Sequence, residues 1–148
     1  MANLMVGREV SLDIDKKPAQ FGHVVLEVED LRVKNQDKVE VVKGVSFKVH
    51  SGEIFAIAGV AGNGQVEIAD AIAGLTDISG GTIKLNGVDI SKYSIRERTI
   101  EGISYIPEDR QSYGLILDFT LAENLALKDY YKEPFCQKGF LNKEVIDE

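Results

Sequence analysis

Gly59-Val60-Ala61-Gly62-Asn63-Gly64-Gln65-Val66 carries the clearest chemical signal in the chain. Its glycine frame, G-x-x-x-x-G followed by two residues, is that of a loop that cradles phosphate groups between a strand and a helix. Glycines reach positive φ without steric cost, so successive backbone N–H groups turn inward and join the positive N-terminus of the following helix. Two side chains complete such a loop, a Lys that reaches the β- and γ-phosphates and a Ser or Thr that ligates Mg²⁺. Gln65 and Val66 stand in those places. A charged hydrogen bond contributes about 1.5–3 kcal/mol, so a neutral donor at position 65 predicts roughly a tenfold to hundredfold loss of nucleotide affinity. The missing hydroxyl weakens catalysis more than binding. Glu67 and Asp70 place carboxylates in the first turns of the helix, which suits a bare N-terminus and repels a triphosphate. The expectation is a loop that holds nucleotide weakly, is poorly built to hydrolyse it, and makes a doubtful Mg²⁺ site. A glycine turn with no ligand is the competing reading. A dinucleotide site fits less well, because Gly62-Asn63-Gly64-Gln65-Val66-Glu67 ends in Glu where a third Gly is wanted.

The elements that position this loop follow from the hydrophobic pattern. Val24 to Asp30 and Val39 to Val49 alternate and are rich in β-branched residues, with the polar turn Lys34 to Lys38 between them, so they predict an antiparallel pair. Glu53 to Ala58 is a short apolar run of the length of a buried strand. After the loop, Val66, Ile68, Ala69, Ile72 and Ala73 recur at helical spacing, and Gly74 is placed to cap the helix. Thr82 to Leu85 turns at Asn86-Gly87 into a second strand pair. Ser94-Ile95-Arg96-Glu97 and Thr120-Leu121-Ala122-Glu123 both have the form of a capping box; the second helix is expected to run to about Lys128. Ile103 to Ile106 is a further strand candidate, stopped by Pro107. Asp13, Asp15, Lys16, Lys17 and Pro18 mark the first twenty residues as a connector, and the tail from Tyr130 is the least periodic part.

Composition narrows the classes. The chain has 148 residues, 44% of them hydrophobic and 28% charged, within the range of a folded globular domain rather than a disordered or fibrous one. A net charge of −7 argues against nucleic acid as a partner, since a phosphate backbone rewards clustered cations. The single cysteine, Cys136, has no internal disulfide partner and no ligand-like neighbours. No targeting segment is visible at the start, and the longest low-polarity stretch, Ile54 to Gly62, falls far short of the roughly 20 residues of a spanning helix. His23 and His50 have no nearby catalytic partner in sequence and read as solvated or edge residues.

Longer stretches resemble the nucleotide-binding domain of ABC transporters: Lys43 to Ile54 ahead of the glycine loop, and Ser79-Gly80-Gly81-Thr82-Ile83-Lys84-Leu85-Asn86-Gly87-Val88-Asp89-Ile90 after it. Together with Tyr105-Ile106-Pro107-Glu108-Asp109-Arg110 and Thr120-Leu121-Ala122-Glu123-Asn124-Leu125, the loop is similar to the second, degenerate half of tandem importer ATPases for simple sugars or nucleosides. Met5-Val6-Gly7-Arg8 looks like the junction leaving the first half. The resemblance implies an α/β P-loop NTPase fold with an antiparallel β subdomain and a partial RecA-like core, truncated in the helical subdomain. Residues 1–20 would be a linker, 21–107 the β subdomain and core, and 108–148 the start of the helical subdomain. It also implies ATP as ligand at Gly59 to Val66, and as partners a second nucleotide-binding domain, membrane permease subunits and, through them, an extracytoplasmic binding protein. The expected location is peripheral, on the cytoplasmic face of the membrane. In the family a Gln that contacts metal and attacking water and senses the membrane subunit stands where this chain has Glu108; Glu108, Asp109 and Arg110 are therefore expected to report to a partner or to form a solvated turn. The aromatic that stacks on adenine, expected around Lys34 to Lys38, is absent. A scaffold with this fold and no nucleotide is the alternative function.

Two segments imitate family motifs. Ile78-Ser79-Gly80-Gly81-Thr82 resembles the LSGGQ signature but leads into a strand and a turn rather than a helix. Leu115-Ile116-Leu117-Asp118 imitates a Walker B strand, yet Phe119 replaces the catalytic Glu and a capping box follows directly. Six of the eleven aromatic residues fall after residue 112 and suit either a partner interface or the core of a larger subdomain.

Overall fold

Alternation in the two predicted strands is realised as β1 (Val24–Lys34) and β2 (Glu40–His50), paired antiparallel. The computed structural model describes residues 20–35, 37–137 and 140–147 in two units, Met1–Ile103 and Ser104–Glu148. The expected connector 1–20, apart from Gln20, and the Met5 to Arg8 junction lie outside the described residues.

In the first unit, β3 (Ile78–Leu85) joins the free edge of β1 and carries β4 (Val88–Asp89) beyond it, giving one antiparallel sheet of order β2-β1-β3-β4. What read as two separate strand pairs is therefore a single sheet with β1 near its centre. Val28, Leu31, Val33, Val42 and Ile83 point to one face and are covered by Ile68 and Ala71 of helix α1 (Gln65–Ala73) and by Ile90. The opposite face is polar: Glu27 pairs with Lys48, Lys84 lies 3.0 Å from Glu29, and the Thr82 hydroxyl donates to Glu29 at 3.2 Å.

Val28 and Leu31 both face inward although three residues apart, which strict alternation forbids. The register slips between them, with Asp30 at φ 46°. Gly81, at φ 84°, lies against the carbonyls of Glu29 and Asp30 where a Cβ has no room. The Gly80-Gly81 pair thus serves the close approach of β3 to this irregularity, and Ile78 to Thr82 is strand as the reading against a signature motif expected.

Helix α1 ends at Gly74 in the left-handed conformation, φ 84°, as predicted. It buries Ile68, Ala71 and Ala73, whereas Val66 faces outward. Helix α2 (Ile95–Ile100) opens with the expected capping box: Ser94 N–H donates to Glu97 at 2.7 Å and Glu97 N–H to the Ser94 hydroxyl at 3.4 Å.

Two predicted strands do not form. Glu53 to Ala58 and Ile103 to Ile106 take no place in a ladder, and Ile54 and Ile106 are 86% and 80% exposed. An apolar run becomes a buried strand only when neighbours pair with its backbone and cover both faces. The described strands satisfy one another, and Glu53 to Ala58 meets the sheet mainly through Phe55, stacked on Phe47 with ring centroids 4.9 Å apart.

The second unit contains helices α3 (Arg110–Tyr113) and α4 (Leu121–Ala126), a two-residue antiparallel pair of β5 (Cys136–Gln137) and β6 (Phe140–Leu141), and helix α5 (Lys143–Asp147). Thr120 and Glu123 form the second capping box, 3.2 Å and 2.8 Å, and α4 ends at Ala126 rather than near Lys128. Leu115 to Asp118 is loop, not strand, which removes the Walker B imitation.

Candidate functional site

The glycine loop lies between the unpaired Glu53 to Ala58 run and α1. Gly62 and Gly64 have φ of 87° and 97°, the left-handed values that turn neighbouring amides to one side. Asn63 N–H donates back to Val60 O at 3.2 Å, and the first intrahelical bond runs from Ile68 N–H to Gly64 O at 2.9 Å. Gly64 is the N-cap and offers no side chain, so the amides of Gln65, Val66 and Glu67, which have no acceptor within the helix, are free of a side-chain cap. Gly64 is buried against β2: a Cβ there would meet Val41 O at 3.1 Å and a Val42 methyl at 3.3 Å. Gly59 to Asn63 are exposed, and around Gly62 there is open space for a ligand where a Cβ would stand.

This arrangement fits a phosphate. Convergent N–H groups and the positive end of α1 attract an anion without any cationic side chain. Gln65 folds back over Gly59, its amide Nε2 donating to Val60 O at 3.4 Å, so the loop's own carbonyl takes one of the two N–H donors that could meet a phosphate oxygen. Val66 presents an exposed apolar side chain where a metal-binding hydroxyl is wanted. Mg²⁺ does not fit this donor set. Glu67, in the first turn, adds negative charge.

All eight predicted loop residues, Gly59, Val60, Ala61, Gly62, Asn63, Gly64, Gln65 and Val66, therefore form one continuous feature. Glu108, Asp109 and Arg110 belong to the second unit, where all three are exposed. Asp109 is the N-cap of α3: it accepts from the Ser112 hydroxyl at 2.6 Å and from the amides of Gln111 and Ser112, each at 3.0 Å. The Ser112 hydroxyl, followed by these amides, holds the Asp109 carboxyl below the usual carboxylate range. Arg110 begins the helix, and its carbonyl accepts from Gly114 N–H at 3.0 Å. Capping thus accounts for Asp109, while the Glu108 side chain remains exposed to solvent.

Two features escaped the sequence reading. One is an open apolar groove of about 460 Å³ between Phe47, Phe55, Ile57, Ile68 and Ile72, which exists because the Glu53 to Ala58 run is not covered. The other is Arg98, 3% exposed beside the C-terminal turn of α1. An Arg on the short amphipathic pattern of α2 gives no sign of burial in sequence.

Residues 42–145 match the family described as ABC transporter. The chain is 46% identical over 143 residues to the guanosine import ATP-binding protein NupO of Bacillus subtilis, covering 97% of this chain and 28% of that protein. It is also 46% identical over 147 residues to the nucleoside import ATP-binding protein NupA of Lactococcus lactis, covering 99% and 29% respectively. Against the glucose import ATP-binding protein TsgD13 of Haloferax volcanii the identity is 37% over 135 residues, 91% of this chain and 24% of the relative. The chain spans under a third of the length of these curated relatives.

Proposed function

The chain belongs to the ABC transporter family, and from that premise we propose that it is part of the ATP-binding subunit of an importer, with Gly59 to Val66 as a degenerate phosphate loop. One observation carries the reading of the loop: α1 opens on a left-handed glycine with no side-chain cap, while Gln65 and Val66 stand where hydrolysis needs a Lys and a Ser or Thr. ATP would be held by the amides of Gly62, Gly64, Gln65, Val66 and Glu67, which cradle an anion, while the Asn63 amide is engaged by Val60 O; Gln65 supplies a neutral donor once it leaves Val60 O. The bound nucleotide supplies the driving force of transport only together with a second nucleotide-binding domain, a reading supported by Gln65 and Val66 at the positions of the phosphate-contacting Lys and the metal-binding hydroxyl. Nucleosides are the favoured cargo class over simple sugars, since the two relatives at 46% identity are named for guanosine and nucleoside import and the glucose relative is at 37%. Permease subunits and an extracytoplasmic binding protein complete the assembly, with this subunit peripheral on the cytoplasmic face. Among the described residues no helix is long and apolar enough to cross a membrane. Residues 21–107 then act as β subdomain and core and 108–148 as the start of the helical subdomain, with exposed Glu108 and Arg110 facing the partner.

Calorimetric titration with ATP, with and without Mg²⁺, tests this. Weak binding that Mg²⁺ does not strengthen is expected, and Gln65→Lys with Val66→Thr should tighten it at least tenfold and confer Mg²⁺ dependence. Absence of binding at millimolar ATP in both forms would overturn the reading in favour of a scaffold, for which the Gln65 contact with Val60 O is the supporting observation.

A further inference from the structure

We infer that Arg98 is a positioning residue for the phosphate loop, acting through the far end of α1. Among the described residues it is the one charged side chain that is buried, and it makes no ion pair there. Its guanidinium instead donates to four backbone carbonyls: Ala71 at 2.7 Å, Ile72 at 2.9 Å, Ser91 at 3.1 Å and Tyr93 at 3.0 Å. Two of these are among the last carbonyls of α1, where a cation meets the negative end of the helix. The others belong to the turn after β4, so a single side chain ties α1, that turn and α2 together. Its own carbonyl accepts from Ile103 N–H at 3.0 Å, which also holds the beginning of the Ile103 to Pro107 run.

Burying a cation without a counter-charge is costly even when its N–H groups are bonded, and Leu or Met would fill a gap here more cheaply if packing were all that mattered. The fork geometry of Arg does what a hydrophobe cannot: Nη1 holds the adjacent carbonyls of Ala71 and Ile72 at the end of α1 while Nη2 and Nε hold those of Ser91 and Tyr93, which fixes the helix end against the turn after β4. Gly74 leaves the necessary room, because a Cβ there would stand 2.9 Å from Arg98 Nε. A helix of nine residues is a rod of about 13 Å, so a rotation allowed at its C-terminus reappears at the amides of residues 65–67. The inference rests on the reading of those amides as the phosphate site, but its structural half is testable without any nucleotide.

The test uses the chain with Arg98→Lys, which keeps the charge and loses the fork, and with Gly74→Asn, which keeps Arg98, tolerates the left-handed conformation and presses on the guanidinium. Amide ¹H–¹⁵N signals are recorded without ligand, followed by ATP titration. Expected are displaced signals for Gly62 to Glu67 in both variants, unmoved signals in β1 and β3, and ATP affinity weakened at least fivefold. Unmoved loop signals, or collapse of the sheet in both variants, would leave Arg98 a plain structural staple and overturn the inference. If wild-type chain binds no ATP, the function proposed for the loop fails, while the ligand-free signals still decide the role of Arg98.

Discussion

Residues 24–103 and residues 104–148 are held in different ways. The first region gathers Val28, Leu31, Val33, Val42, Ile68, Ala71, Ile83 and Ile90 into one buried cluster. In the second, Ala126 is the one buried hydrophobic side chain among the described residues, and its helices are defined by polar bonds instead. Asp109 caps α3, the Thr120 and Glu123 pair caps α4, and Asn124 closes the loop before it by accepting from Ile116 N–H at 2.8 Å and donating to Ile116 O and Thr120 O, each at 3.0 Å. Capping chemistry selects local conformation with a few contacts between near neighbours, whereas a shared core is what makes distant segments stable together.

The contrast breaks most directly at Leu31, fully buried at the centre of the cluster. Leu31→Ala should cost about 2–5 kcal/mol in urea unfolding of the sheet region, the range for an unfilled core cavity. A loss below about 1 kcal/mol would mean that the cluster does not carry that stability. Next in size, Asn124→Ala should cost about 0.5–1.5 kcal/mol locally by removing the hydrogen bonds that close the loop at Ile116. Hydrogen exchange is the measurement: the Ile116 amide should lose protection while amides of β1 and β3 keep theirs. Equal loss in both regions would erase the distinction.

The smallest effect concerns the polar face of the sheet. The hydrogen bond from Lys48, with Lys84 adding to it, holds the Glu27 carboxyl below its ordinary value. A depressed carboxylate favours the folded state above the pH at which it titrates in the unfolded chain, about 4.3, and that contribution disappears as pH falls through the lower folded value. The thermal midpoint should therefore drop on acidification below about pH 4.3, and Glu27→Gln should make the drop shallower. An unchanged slope would show the ladder to be fully screened.

What was legible in the sequence sorts along the same division between local and shared. Both capping boxes, the Gly74 cap, the β1–β2 pair and the glycine loop were readable because each is written in residues a few positions apart. The alternation that revealed β1 could not reveal the slip at Asp30 or the attachment of β3 to its second edge, which depend on contacts across some fifty residues. Glu53 to Ala58 and Ile103 to Ile106 look like strands by composition, but pairing is not a property of one segment. Arg98 was invisible because its partners are carbonyls, which every residue has. At the candidate site, the loop could be read from residue types alone, whereas the Gln65 contact with Val60 O and the capping role of Asp109 needed coordinates.

Ile54 to Ala58 has a consequence for the chain as a material. Five apolar residues without charge or proline lie exposed and outside any ladder. Such a stretch is a template on which another chain can add its own backbone, the geometry from which cross-β assemblies grow. Glu53 on one side and the glycines on the other act as gatekeepers, a charge and a run of breakers that keep the hazard short. The residues that deliver the loop to its place are thereby also the exposed backbone on which a second chain would first pair.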